Sequence, residues 1–212
     1  MKLDPDRIRT QIREYYNGKL AAHGATPRGV DWNSEESQEE RFEQILKVCG
    51  ASKEFSICDY GCGYGALAEY MARHGYECDY YGFDISEPMV RAAEGREFTN
   101  RVSCEFTTDV RELRPATYAV ASGIFNVKLR FTMYQWRKYV LETLSHLDEL
   151  GRSGFAFNML TRFSDRQLMR KDLYYADPLF HFEYCKKRFS PYVALLHDYP
   201  LYEFTILVRK GR

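Results

Sequence analysis

The feature that most constrains this chain is a short strand pattern, Phe55-Ser56-Ile57-Cys58-Asp59, that runs straight into Tyr60-Gly61-Cys62-Gly63-Tyr64-Gly65 and then into a helical run from Ala66 to His74. Glycine takes positive φ freely and lets a ligand approach the backbone closely. A strand that leaves through such a loop into a helix returns most simply as a parallel neighbour. The pattern then repeats. Tyr80-Tyr81-Gly82-Phe83-Asp84 reads as a second strand, and Ser86 caps a helix carrying Met89, Ala92 and Ala93. Val102 to Thr107 is a third strand and Tyr118 to Ile124 a fourth. Tyr134 to Leu147 is a helix with Trp136, Val140, Leu144 and Leu147 aligned, and Gly154 to Met159 is a fifth strand. Strands alternating with helices predict a mostly parallel sheet covered on both faces.

Both ends of the chain depart from this alternation. Asp4-Pro5 predicts a helix start, with Ile8, Ile12, Tyr15 and Tyr16 on one face and Asn17-Gly18 as the stop. A second helix is expected from Asn33 or Ser34. The acids Glu35, Glu36, Glu39 and Glu40 suit its positive N-terminus, Phe42, Ile45, Leu46 and Cys49 form its apolar face, and Gly50 ends it. Late in the chain, Tyr192 to Leu196 and Tyr202 to Val208 flank the turn signal Asp198-Tyr199-Pro200, which predicts an antiparallel hairpin at one sheet edge. The expectation is an α/β, Rossmann-like seven-stranded sheet. Residues 1–50 would form a helical cap or lid, 51–212 the main domain, and 161–191 a lid insertion between strands five and six.

Composition narrows the function. The 212 residues suit one domain, and 45% hydrophobic residues suffice for a core. Thirty Lys+Arg balance thirty Asp+Glu, so a dedicated nucleic-acid binder is not expected. No apolar run is long enough to cross a membrane, and Met1 to Thr10 lacks the apolar stretch of a signal peptide; the expected compartment is the cytoplasm. The six cysteines form no CxxC pair and no cluster with histidine, so reduced buried thiols are expected and no metal site.

What the glycine loop holds turns on two acids, Asp59 just before it and Asp84 at the end of the next strand. A carboxylate in the second position accepts from ribose hydroxyls. Gly61, Gly63 and Ala66 have the spacing of a pyrophosphate loop, so spacing alone leaves a dinucleotide open. Asp59 argues otherwise, because it repels a pyrophosphate and attracts an ammonium. A ligand with a ribose, an ammonium and no phosphate is S-adenosylmethionine.

On these residues the chain resembles the class I S-adenosylmethionine-dependent methyltransferases. Cys58 to Gly65 is similar to their first motif, Tyr81 to Ser86 to their second, and Phe106-Thr107-Thr108-Asp109-Val110 to their third. Ala121-Ser122-Gly123-Ile124-Phe125-Asn126 stands where their fourth strand ends beside the methyl donor. The resemblance covers Phe55 to Met159 and the terminal hairpin. It implies that Asp59 balances the donor's ammonium and that Gly61, Cys62 and Gly63 approach its methionine part. Asp84 would then hold the ribose, Ile85 lie against the adenine, Asp109 bond the adenine amine with Val110 nearby, and Ser122 lie close. Arg41 is a candidate for the donor's carboxylate or a surface charge; Trp32 and Gln38 are a lid aromatic and a polar contact, or a staple and a surface residue.

The implied chemistry is in-line methyl transfer without a metal, to a small molecule, with oxygen ahead of nitrogen as nucleophile. His197 and Tyr199 follow a sixth strand expected to run parallel and so to end on the ligand side. They are candidate catalytic groups or turn formers, and Asn126 is a candidate acceptor contact or a loop cap. Transfer to RNA or protein and a non-catalytic binding module are the alternatives. Against the former stand the neutral charge and Ser122-Gly123-Ile124-Phe125 in place of an Asn/Asp-Pro-Pro-aromatic motif; against the latter, the intact loop and three acids. A monomer or a homodimer is expected.

Overall fold

A computed structural model describes residues 4–98 and 101–211; the outer limits of the expected cap and main domain, residues 1 and 212, lie outside them. Helix α1, Pro5–His23, starts where expected, with Asp4 accepting from the Arg7 amide at 3.2 Å. It does not stop at Asn17-Gly18. One glycine in a helix costs only about 1 kcal/mol, and Lys19-Leu20-Ala21-Ala22 favour continuation. The end comes at Gly24, whose φ of 68° lets the chain turn away. Helix α2, Glu35–Leu46, opens with Ser34 and Ser37 capping each other.

The sheet contains β1 (Glu54–Tyr60), β2 (Glu77–Phe83), β3 (Val102–Thr107), β4 (Ala116–Ala121), β5 (Gly151–Leu160), β6 (Tyr192–Leu196) and β7 (Glu203–Arg209). Helices α3 (Ala66–Arg73), α4 (Glu87–Glu94), α5 (Met133–Leu150) and α6 (Pro178–Arg188) connect them. The strand order is β3-β2-β1-β4-β5-β7-β6. β1 pairs in parallel with both β2 and β4, so the order reverses between β1 and β4. A crevice opens outside the strand C-termini at such a switch point. β7 is antiparallel to both β5 and β6, which leaves β6 parallel to β1–β5 and at the sheet edge.

Period-two alternation divides the sheet between two cores. Cys58, Ala119, Phe155, Phe157 and Ile206 face one core with α5 and α6; Ile57, Val120, Ala156 and Leu207 face the other with α2 and α3. The N-terminal helices belong to these cores. Ile8 and Ile12 of α1 are buried in the first, and Phe42, Ile45 and Leu46 of α2 in the second. At roughly 1.5–3 kcal/mol per fully buried aliphatic side chain, α1 and α2 are integral to the fold.

Candidate active site

The glycine loop leaves β1 at the switch point. The Gly61 and Cys62 amides both donate to the Phe83 carbonyl, at 2.7 and 2.9 Å, fastening the loop to the end of β2. Gly61 has φ 91°, and a Cβ on it would lie 2.3 Å from Ile124 Cγ2, so the position admits no side chain. Cys62 is buried, and burial pushes its thiol well above the ordinary value; its role is packing.

Asp59 is 3% exposed. Its Oδ2 accepts from the Tyr80 hydroxyl at 2.5 Å, while its buried Oδ1 has no partner. Burial pushes the carboxyl up to about 7; the Tyr80 hydrogen bond opposes this and the nearby Asp84 charge adds to it. An unmatched buried carboxylate oxygen keeps acceptor capacity for a ligand's hydrogen-bond donor. Asp59 lines a space of about 40 Å³ with Gln38, Gly61, Gly63, Tyr64 and Ser122, among others. There the Gln38 side chain accepts from the Tyr64 hydroxyl at 3.0 Å.

Asp84 faces a second space of about 50 Å³ beside Gly61, Gly63 and Met89. Its Oδ2 accepts from the Gly63 amide at 2.9 Å and its Oδ1 from the Ser86 amide at 2.8 Å. Burial raises the carboxyl to about 6 against the pull of those two donors. Each oxygen retains acceptor capacity for a hydroxyl. The unmatched Asp59 oxygen, the side-chain-free loop and the Asp84 carboxylate suit the ammonium, methionine part and ribose of S-adenosylmethionine.

The third acid is placed differently. The Asp109 carboxylate is gripped by the Arg111 guanidinium at 2.5–3.0 Å and caps the 3₁₀ turn Val110–Glu112. The Arg111 hydrogen bonds hold it down to about 2. Val110 is exposed, and Ile85 packs half-buried against the first core. Asp109, Val110 and Ile85 line neither space. Ser122 lines both, and its hydroxyl accepts from Asn158 Nδ2 at 3.4 Å.

Next to these spaces lies a cavity of about 240 Å³, walled by Tyr16 of α1, Val30 to Asn33, Arg41, Gly123, Asn126, Val127, Leu160, Arg170, Leu173 and Glu203. Val30 and Trp32 line all three. At the wall, Glu203 is 1% exposed and takes a two-point grip from Arg41, Nε and Nη2 each at 2.9 Å. Asn126 Nδ2 donates to the same carboxylate at 3.2 Å, and its Oδ1 accepts from the Leu160 amide. The Arg41 guanidinium also stacks 4.0 Å over the Trp32 ring. Arg41 is thus bound to a protein carboxylate, and neither sequence expectation, a cofactor carboxylate or a surface charge, describes it.

Of the three candidate catalytic residues only Asn126 reaches the cavity. His197 is exposed, its ring beside Phe163 and Phe204. The Tyr199 hydroxyl pairs with Thr205 Oγ1 at 3.0 Å, and burial pushes it up. β6 does run parallel and end on the ligand side, but β7 separates it from β5. Its terminal residues therefore sit away from the switch point. Glu203, Asp31, Tyr16 and Arg170 were not anticipated. Glu203 had a signal: it is an acid opening the otherwise uncharged strand run Phe204-Thr205-Ile206-Leu207-Val208. Among the described residues, no group of three His, Cys, Asp or Glu side chains is placed to hold a metal.

Fold and site together define a methyltransferase architecture, and comparison with known proteins agrees. Residues 57–151 match the family described as a methyltransferase domain. The chain is 52% identical over 166 residues to Rv1506c of Mycobacterium tuberculosis, named as a methyltransferase, covering 78% of this chain and 99% of that protein. Magnesium protoporphyrin IX methyltransferase from Synechocystis PCC 6803, solved with S-adenosylmethionine bound, superimposes with a TM-score of 0.62 at 18% identity over 99% of each chain. The N-methyltransferase NodS from Bradyrhizobium japonicum WM9 superimposes with a TM-score of 0.58 at 14% identity, over 95% of this chain and 99% of that one. The chain belongs to the class I family of S-adenosylmethionine-dependent methyltransferases.

Proposed function

We propose that this protein transfers the methyl group of S-adenosylmethionine to a small molecule seated in the 240 Å³ cavity, to oxygen in preference to nitrogen, by in-line displacement that needs no metal. The observation that carries this is the position of the cavity. It shares Tyr16, Val30, Trp32 and Gly123 with the space in front of Asp84, so an acceptor there abuts the cofactor cleft at the end of β4.

When bound, the cofactor supplies a methyl group already activated on a sulfonium, which leaves the protein mainly to position the nucleophile. Asp59 Oδ1 takes the ammonium and Asp84 the ribose hydroxyls. Asp109 with Val110 and Ile85 serves the adenine once the Arg111 grip yields. The spaces of about 40 and 50 Å³ are too small for the whole cofactor, so side chains between them shift to admit it. Residues 1–50 and 161–191 act as the cap that then excludes water. Glu203 and Asn126 orient the acceptor, while His197 and Tyr199 shape the turn beyond β6.

Such an enzyme works in the cytoplasm on a small molecule and engages neither nucleic acid nor membrane. Incubation with methyl-tritiated S-adenosylmethionine and candidate acceptors, with and without EDTA, tests the reading. Label is expected in a small-molecule product and should be insensitive to the chelator. Label confined to RNA or protein, or activity lost in EDTA and restored by magnesium, would overturn it.

A further inference from the structure

The cavity wall also specifies what it takes. Resting on the methyltransferase reading above, we propose that the acceptor is a neutral, saturated (non-aromatic) ring carrying several hydroxyl groups, about one ring in size, and that Glu203 accepts the hydrogen bond of the hydroxyl that becomes methylated.

The first argument is charge. The cavity is lined by two carboxylates, Asp31 and Glu203, and two guanidiniums, Arg41 and Arg170. Each is answered within the protein. Glu203 holds Arg41 at 2.9 Å through both oxygens. Asp31 takes the Lys19 ammonium at 2.5 Å and the Tyr15 hydroxyl at 2.7 Å. Arg170 binds Asp172 at 2.5 Å and lies 3.8 Å from Asp31. An ammonium-bearing acceptor would meet carboxylates already neutralised, and an anionic one guanidiniums already paired. Either would bring an uncompensated charge into a half-enclosed site.

The second argument is polarity. A flat apolar acceptor would strip water from these groups and from the Asn126 amide without replacing its hydrogen bonds, which sites of this kind reject strongly. Hydroxyl groups satisfy both sides. They donate to the remaining lone pairs of Glu203 and Asp31, and they exchange hydrogen bonds with Tyr16, whose hydroxyl bonds no described residue.

Size is the third. About 240 Å³ lies below the roughly 300–1,000 Å³ of sites for drug-sized ligands, which suits a single substituted ring.

In the reaction, the acceptor oxygen bonds to the methyl carbon as the carbon–sulfur bond breaks and leaves its electron pair on sulfur. The hydroxyl proton passes to the Glu203 carboxylate and from there to water. The oxygen becomes strongly acidic only as its new bond forms, so a carboxylate held in place by Arg41 suffices as the receiver.

The test uses the protein saturated with S-adenosylhomocysteine and reads tryptophan emission. Trp32 lines the cavity, and the other tryptophan, Trp136, is sealed in the core. Methyl α-D-glucopyranoside and myo-inositol are titrated as sugar-ring and cyclitol probes, with catechol and ethanolamine as planar and cationic ones. A saturable, millimolar change with either polyol and none with catechol or ethanolamine is expected, and the polyol that binds tells sugar from cyclitol. Glu203→Gln should weaken polyol binding at least tenfold with homocysteine-nucleoside affinity within about twofold of the original. Should that variant misfold, Tyr16→Phe leaves the ion pair intact and should weaken the polyol several-fold. A response to catechol or ethanolamine, silence with both polyols, or unchanged polyol binding in the folded variants overturns the proposal. Failure to bind S-adenosylhomocysteine at all would instead defeat the methyltransferase reading.

Discussion

The two halves of the cleft are built in opposite ways. The cofactor half comes from one stretch of chain, β1 through β2, and its key groups Asp59, Gly61, Gly63 and Asp84 span 26 residues of sequence. Backbone amides of the loop fasten it, Gly61 and Cys62 to the Phe83 carbonyl and Gly63 to the Asp84 carboxylate. The acceptor half gathers Tyr16, Asp31, Arg41, Asn126, Arg170 and Glu203 from both ends of the chain, and side-chain ion pairs hold it together. A local, backbone-built half suits an invariant ligand. A dispersed, side-chain-built half can change its ligand through single substitutions without disturbing the loop.

The sharpest way to break this contrast is Glu203→Ala. It leaves the Arg41 guanidinium without its carboxylate at a site where Glu203 is 1% exposed, a loss worth about 3–5 kcal/mol. Urea unfolding should show that drop; a loss below about 1 kcal/mol would mean the acceptor half does not depend on this pair. Next is Gly123→Ala. Its φ is 76°, and the new Cβ would lie 2.4 Å from Trp32 Cζ2. Strain and displacement together cost about 1–3 kcal/mol. Both halves should suffer, with weaker cofactor binding and shifted tryptophan emission; an effect on only one would show that Trp32 does not couple them.

Asp84→Asn targets the cofactor half alone. Loss of charge-assisted acceptance, about 1.5–3 kcal/mol, should weaken S-adenosylhomocysteine about ten- to several-hundred-fold in calorimetry. Stability should change little, because the acceptor lost to one of the Gly63 and Ser86 amides is offset by relief of the buried charge that raises Asp84 to about 6.

The smallest effect is with pH. Asp59 and Asp84 are raised to about 7 and about 6 from 3.8, so the folded state holds protons that the unfolded chain has released. The stability these two groups lend the ligand-free protein is therefore fully present below about pH 4 and is lost as pH rises through about 6 and 7. An ammonium bound at Asp59 favours the ionised carboxylate, so affinity for S-adenosylhomocysteine should climb by up to about tenfold per unit below pH 7 and level off above it. An affinity independent of pH between 5 and 8 would remove Asp59 from ammonium binding.

The same contrast explains what the sequence revealed. β3 and β6 were expected with their observed bounds, because apolar runs between turn residues define them. β2 was expected from Tyr80 but begins at Glu77, since polar residues on an edge-ward strand blur its start. Asp59, the glycines and Asp84 were legible because local geometry fixes their relation. Asp31 was not, and Glu203 showed only as an acid opening an uncharged strand run, because their partners Lys19 and Arg41 are selected only by the tertiary fold. His197 illustrates the converse: the direction of its strand was right, but lateral position in a sheet is not written in a strand's own sequence. The early stop read at Gly18 failed because a single glycine is a weak terminator when the following residues favour a helix.

The insertion of β7 between β5 and β6 has a consequence for biosynthesis. A nascent chain that has emerged only as far as β6 cannot close its sheet, since the strand that belongs beside β5 has not been made. Until residues 203–209 arrive, the open side of β5, with Phe155, Ala156 and Phe157, is an unpaired apolar edge of the kind that recruits other chains. The same late segment brings Glu203, so the acceptor cavity is completed only when the sheet is. A chain stalled or clipped before residue 203 should therefore enter the aggregated fraction rather than accumulate as a folded protein that has lost only its acceptor site.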